Sequence, residues 1–297
     1  MSFADVVGQK DFSLVVRMDP PKGGDVTQLL DAALAVRGRI DATCFSDCPM
    51  AVMRMNPLAP CHLLQQKKME TILNMNARDR NRLSIQSELL AAWALGVRSI
   101  LLCDGEDPSF GDHPVTAPCK DLDLTGMLGA VAAFKQGKDL AGQPVAASPA
   151  FHTGIEIQLS DDAEVNRKKA SEFGKWGRLG VDFAFVGNTY DPDMIKPFAD
   201  AAAGTGVKVF ASIVLLKSVG MAKYLNSIKG VPNIPAPVLE KIIKAPIKPK
   251  ACLEAAADFV GRIKNVCSGV VICPLGWEAK VPDLLDLLQG GGFGVRP

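Results

Sequence analysis

The chain is poor in the residues that polymer binding demands. Only 6% of its 297 residues are aromatic, too few for the stacking platforms that hold single-stranded nucleic acid. Charge of neither sign is in excess: 33 basic and 32 acidic side chains leave a net charge of +1. No global field therefore draws the molecule to nucleic acid or to an anionic membrane. No apolar run reaches the roughly 18 residues of a membrane span. The opening "MSFADVVGQKDF" holds no apolar stretch of signal-peptide length, and a cytoplasmic location is the expectation. None of the 8 cysteines stands in a Cys-x-x-Cys motif, so free thiols in a reducing compartment are expected. Cys44 and Cys48 make only a weak metal pattern, and no metal is expected. No G-x-G-x-x-G follows the first strand-like run. "GGGFG" at 290–294 follows no strand and reads as a tail.

What the sequence does have is a repeating alternation. Near-continuous apolar runs occur at 12–18, 39–47, 71–76, 99–105, 151–159, 182–187, 207–215 and 268–276. Such runs suit parallel strands covered on both faces. Helical patterns lie between them at 25–38, 82–96, 161–180, 192–206, 250–266 and 280–288. Asp25 reads as an N-cap and Gly38 as a stop. The helix at 161–180 begins with acids and ends with bases, as the helix dipole favours. Eight strand-then-helix units predict an α/β fold, a (β/α)8 TIM barrel forming a single domain over 1–297. Insertions are expected at about 106–150 and 216–250, after the fourth and seventh strands.

In such a barrel the functional groups gather at the C-terminal strand ends. Here those ends are polar: "RMDPPKGG", "FSDCPMAVMR", "NMNARDRNR", "CDGEDPSFGDHP", "IQLSDD", "VGNTYD", "VLLKSVGMAKYLN" and "CPLGW". The first poses a question. Pro20 and Pro21 end the strand abruptly, leaving Arg17 and Asp19 at its tip. Period-two alternation puts both on the same side of the barrel wall.

Seven segments, in order along almost the whole chain, carry a resemblance: "PPKG" after the first strand, "AVMR" (51–54), "RDRNR" (78–82), "LGVRSILL" (95–102), "GDHP" (111–114), "LLKSVGMA" (215–222) and "PLGW" (274–277). The chain resembles methylenetetrahydrofolate reductase in its short catalytic form, and is most similar to the version found in acetyl-CoA-pathway anaerobes. The resemblance implies a (β/α)8 barrel that binds FAD at its C-terminal face. It also implies interconversion of 5,10-methylene- and 5-methyl-tetrahydrofolate, with NAD(P)H or an iron–sulfur partner subunit supplying electrons.

The motifs also depart from the family. A glutamate that acts as the family's general acid stands three residues before the Pro-Pro pair; here that position is Arg17, and a guanidinium is a very poor proton donor. Asp19 can replace the acid. Alternatively Asp19 caps the turn and Arg17 pairs with a neighbouring carboxylate. The family's Thr-Gly-Asp-His-Pro becomes Asp104-Gly105-Glu106-Asp107-Pro108, so Glu106 falls on the family's flavin-tuning aspartate. The strand-six Gln-Thr-Gln becomes Phe185-Val186-Gly187, and a flavin-phosphate lysine becomes Trp176 with Lys175 beside it. Asn74 and Asn76 stand at the family's strand-three polar positions.

The resemblance thus implies Asp19 and Glu106 as catalytic groups. It implies Ser46, Asn74, Asn76, Arg78, Asp104, His113, Asp121, Asp123, Gln158 and Lys175 around the cofactor. Arg17, Glu106, Lys217 and Tyr224 are implied around the folate. Arg78 and Arg80 can grip flavin phosphates or a folate glutamate tail, or stand on a solvated helix start with Asp79 as N-cap. The Asp104, Glu106, Asp107, Asp112 and His113 cluster can raise one carboxyl pKa and make an acid. Lys217 can contact folate with Met221 and Tyr224 packed on it, or belong to a hinge loop freed by Gly220. Trp277 stacks on a ring or packs beneath the rim. A flavin-free alternative remains: a methyl-tetrahydrofolate-binding methyltransferase, or a folate-binding subunit, working with a corrinoid partner.

Overall fold

A computed structural model describes residues 2–291. Its eight strands are β1 (Ser13–Met18), β2 (Ala42–Phe45), β3 (Thr71–Asn76), β4 (Ser99–Cys103), β5 (His152–Ile157), β6 (Phe183–Asn188), β7 (Lys208–Val214) and β8 (Gly269–Cys273). They pair in parallel in chain order, and β8 returns to β1, so the sheet closes into a barrel. The expected (β/α)8 fold is the observed one.

Among the described residues twelve α-helices flank or lie between the strands. They are α1 (Phe3–Gln9), α2 (Thr27–Leu34), α3 (Leu58–Gln66), α4 (Arg82–Ala94), α5 (Leu124–Lys135), α6 (Ala163–Ser171), α7 (Phe173–Arg178), α8 (Lys196–Ala202), α9 (Val219–Leu225), α10 (Ala236–Lys244), α11 (Lys248–Ile263) and α12 (Val281–Gly290). Several expected boundaries shift. The helix expected at 161–180 breaks into α6 and α7 at Glu172. Asp25 is not the N-cap of α2; it lies one residue further out, its carboxylate accepting from the Thr27 amide and hydroxyl at 2.9 and 2.6 Å. The cap of α4 is Asn81 rather than Asp79, because the Asn81 side chain accepts from the Leu83 and Ser84 amides. "GGGFG" begins at the last residue of α12, and 292–297 lie outside the described residues.

Two apolar masses hold the fold. The larger lies between strands and helices. The smaller fills the bore with Val15, Cys44, Ile72, Leu101, Phe183, Phe185, Phe210, Val271 and Cys273. α1 closes the N-terminal end: fully buried Phe3 meets Phe183 edge-on at 5.6 Å, and its amide donates to Glu70 at 3.0 Å. The aromatic filling is possible because β5 has Gly154 where the Phe183 ring passes; a Cβ there would come within 2.2 Å of that ring. Among the described residues no helix is long and apolar enough to cross a membrane.

Candidate active site at the barrel mouth

Alternation along the strands assigns the inward positions: 15 and 17 on β1, 72 and 74 on β3, 154 and 156 on β5, 183 and 185 on β6. In the upper layer of the bore this brings Arg17 into a salt bridge with Glu156 from β5. Arg17 Nε donates to Ser46 Oγ at 2.9 Å, and Nη2 donates to Asn74 Oδ1 at 3.2 Å. Asn74 Nδ2 in turn donates to the Leu101 carbonyl at 3.0 Å. The Arg17 and Glu156 side chains keep 14% and 18% of their exposure, and the bore beneath them is filled by fully buried Phe183, Phe185 and Phe210. Burial, the largest single influence, would lower the Arg17 pKa; the Glu156 charge and hydrogen bond, with smaller raising contributions from nearby groups, together outweigh it and keep the guanidinium protonated. Arg17 thus pairs with a carboxylate, and that carboxylate lies across the barrel.

Three thiols surround the pair. Burial pushes Cys273 up to about 12 and raises Cys44 and Cys103 further, so all three are protonated, poorly reactive packing groups. Among the described residues no group of three or more His, Cys, Asp or Glu is placed to hold a metal.

A second polar network supports the floor from the β2–β3 side. Buried Asp47 accepts from the Asn76 amide at 2.9 Å, from Asn76 Nδ2 at 2.7 Å and from Arg80 Nη1 at 2.6 Å. Arg80 also clasps Glu88 with two bonds, at 2.6 and 3.1 Å. Burial raises the Asp47 pKa against the opposing pull of Arg80. Burial also works against ionisation of Glu88, but there the Arg80 hydrogen bonds and charge win and its pKa falls. Arg78 is likewise committed, donating to both Asp79 oxygens at 2.8 and 2.6 Å and to the Glu106 carbonyl at 3.1 Å. Arg78 and Arg80 are therefore buried, not a solvated helix start.

Asp19 lies at the mouth, 24% exposed and 4.0 Å from Arg54 Nη2. Glu106 sits to one side, 3.6 Å from Arg78, in a cleft of about 340 Å³ lined also by Asp104, Asp107, Lys120 and Asp123. Asp104, Glu106 and Asp107 of the expected acid cluster share this cleft, while Asp112 and His113 lie outside it. Asp104 accepts from the Leu124 amide and Asp123 from the Gly126 amide, both at the start of α5. Asp107 accepts from Ser109, which lowers its pKa. Asp112 is lowered by Lys22, the Met53 amide and His113. Hydrogen bonds to N–H groups favour the ionised form, so in these two members the shift is opposite to the one expected.

The rim is tied together by the same residues. Lys22 reaches Asp112 at 2.6 Å, and the Met53 amide donates to it at 2.9 Å. Gly111 passes so close to Ala51 that a Cβ would fall 1.8 Å from that carbonyl oxygen. On the far side, Met221 of α9 packs on the cluster filling the bore, and Lys217 Nζ lies 3.3 Å from where a Gly276 Cβ would stand. Tyr224 points outward, 66% exposed, and Trp277 packs against the outer core.

Other expected site residues lie apart from the floor. Asp121 binds Arg82 on the surface. His113 is exposed beside Asp112, and Gln158 is exposed just past β5. Lys175 is on α7, paired with Glu172 at 2.8 Å. That helix leads into β6, and its Gly177 faces Thr205 and Val207 at the start of β7, so Lys175 stands toward the N-terminal end. Sequence reasoning missed Glu156. The signal was available: it is one charge in the apolar run "GIEI", at an inward position.

The sequence profile of the family described as methylenetetrahydrofolate reductase matches residues 3–271. The chain belongs to that family. No curated protein matches it. Among solved structures, an uncharacterized protein from Clostridium thermocellum that binds two copies of 5-methyl-5,6,7,8-tetrahydrofolic acid superposes with a TM-score of 0.64 at 9% identity, over 97% of each chain. A mutant tryptophan synthase α-subunit from Pyrococcus furiosus gives 0.53 at 12% identity, over 95% of this chain and 99% of that one. Dihydropteroate synthase from Xanthomonas albilineans gives 0.51 at 12%, over 95% and 94%. These likenesses establish a shared barrel; the family match connects the chain to one-carbon folate chemistry.

Proposed function

We propose that the chain binds a reduced tetrahydrofolate derivative of the 5-methyl or 5,10-methylene class, with its pterin over the floor formed by Arg17, Glu156 and Asn74. One observation carries this reading: a hydrogen-bonded ion pair stands, with Ser46 and Asn74, on top of an apolar bore filling, at the functional end of the barrel. A buried ion pair often gives no more stability than apolar packing of the same volume. A ligand that uses both charges is a reason to keep them there. Family membership supplies the folate, and the Clostridium thermocellum protein shows that a barrel of this shape can hold 5-methyl-tetrahydrofolate. In this reading Lys217, beside Gly276, meets the glutamate carboxylates. Asp19 and Glu106 remain candidate proton donors.

The family match favours a second reading, the flavin-linked reductase. There the flavin would carry hydride between a nicotinamide or a partner's electrons and the folate's one-carbon unit. The donor set does not fit FAD as arranged. Arg78, the arginine nearest the cleft, is spent on Asp79 and on backbone carbonyls. The oxygens of Ser46 and Asn74 are taken by Arg17. Asn76 is taken by Asp47 and Asp79, and Phe185 replaces the strand-six amide. The cleft volume of about 340 Å³ lies near the lower end of the roughly 300–1,000 Å³ typical of drug-sized ligand sites, and a dinucleotide is larger.

Separate calorimetric titrations with 5-methyl-tetrahydrofolate and FAD test the reading. Saturable binding of the folate without FAD is the expected result. No folate binding contradicts it, and tight FAD binding with a flavin absorbance band establishes the second reading instead.

A further inference from the structure

Arg17 and Glu156 present an unusual edge to the mouth. The guanidinium has five N–H donors. One is used on Ser46, one on Asn74 and one on Glu156, which leaves two unassigned. Glu156 accepts from Arg17 through Oε1, and among the described residues nothing donates to its Oε2. A donor and an acceptor therefore stand side by side, fixed to each other, over a floor that water cannot enter from below.

We infer that this pair reads the pyrimidine edge of the pterin and selects the 4-oxo form. The inference rests on the folate reading above. A 2-amino-4-oxo pterin shows, along one edge, an acceptor at O4 and then donors at N3–H and the 2-amino group. Glu156 takes the two donors and Arg17 donates to O4. A 4-amino pterin places a donor where O4 was and an acceptor at N3, so it faces guanidinium with N–H and carboxylate with a lone pair. Turning the ring to offer the protonated N1 and 2-amino group to Glu156 brings N8–H against Arg17 instead. Arg17 is what rejects both poses, because a guanidinium has no acceptor and cannot lose its proton. This gives the arginine at the family's acid position a task that a glutamate there could not perform.

The experiment compares the affinity of 5-methyl-tetrahydrofolate with that of its 4-amino-4-deoxy analogue by calorimetry. Wild type should favour the 4-oxo compound by about 10²-fold or more, since a polar site rejects a mismatched edge strongly. Arg17→Met should reduce that preference at least tenfold. The double variant Arg17→Met/Glu156→Gln removes both charges together, keeps the bore neutral and should also bind without strong preference, which guards against misfolding of the single variant. Equal wild-type affinity for the two compounds overturns this inference alone, as does a preference that survives in both variants. No binding of either compound overturns the folate reading beneath it.

Discussion

Arg17 and Glu156 reach each other across the bore from β1 and β5, strands separated by three others on either side of the closed sheet. The ion pair therefore braces the barrel as well as lining its mouth. Removing one partner leaves the other charge half-desolvated, which typically costs about 3–5 kcal/mol. Arg17→Met should lower the urea midpoint by a corresponding amount, and Arg17→Met/Glu156→Met should recover most of it. Additive losses in the double variant would show that the pair does not brace the fold.

Gly154 is required by the Phe183 ring, which lies where its side chain would be. Gly154→Ala overpacks the bore, an error that costs roughly 1–3 kcal/mol. Adding Phe183→Leu should relieve part of that loss. Thermal unfolding of the three variants checks the order; Gly154→Ala with wild-type stability would mean that the ring moves freely.

Acid should destabilise the chain through Glu88. Although burial opposes it, the Arg80 contacts bring its folded-state pKa below the ordinary 4.5. A carboxyl with a depressed folded pKa adds stability that is complete above the unfolded value and is lost as pH falls through the folded one. Asp47 has the opposite sign, its pKa being raised, so it partly offsets the trend. Glu88→Gln should therefore flatten the stability curve below pH 4.5. Parallel curves for the two proteins would place the acid sensitivity elsewhere.

The buried thiols should stay silent. Burial raises Cys61 and Cys273 to about 12. Iodoacetamide at neutral pH should leave both unlabelled in the native protein and label both once urea unfolds it, read by peptide mass spectrometry. Rapid native labelling of Cys273 would contradict the packed bore.

The barrel was legible because parallel strands buried on both faces leave near-continuous apolar runs, and these survive as β1–β8 within a few residues. The ends were less legible. The break at Glu172 and the shift of the α4 cap to Asn81 depend on which polar group wins a local amide, a contest of about 1 kcal/mol. At the site, alternation put Arg17 and Asp19 on one side of the wall and left open the pairing of Arg17 with a carboxylate. The lone charge in "GIEI" could have marked Glu156 as a candidate, but its partner Arg17 was out of reach, because neighbours across a closed barrel are distant in sequence. The acid-rich loop after β4 misled for a related reason: Asp104, Asp107 and Asp112 each accept a separate hydrogen bond, from the Leu124 amide, the Ser109 amide and Lys22, that sequence proximity does not reveal.

Above all, we propose that reduced folate sits over the Arg17–Glu156 floor. The most direct test titrates 5-methyl-tetrahydrofolate into Glu156→Ala and, as a control, into Arg39→Ala, whose ion pair with Asp286 lies at the opposite end of the barrel. The account predicts at least a tenfold loss of affinity for Glu156→Ala, as for a lost hydrogen bond to a charged group worth about 1.5–3 kcal/mol, and wild-type affinity for Arg39→Ala. Unchanged affinity in the Glu156 variant would contradict it.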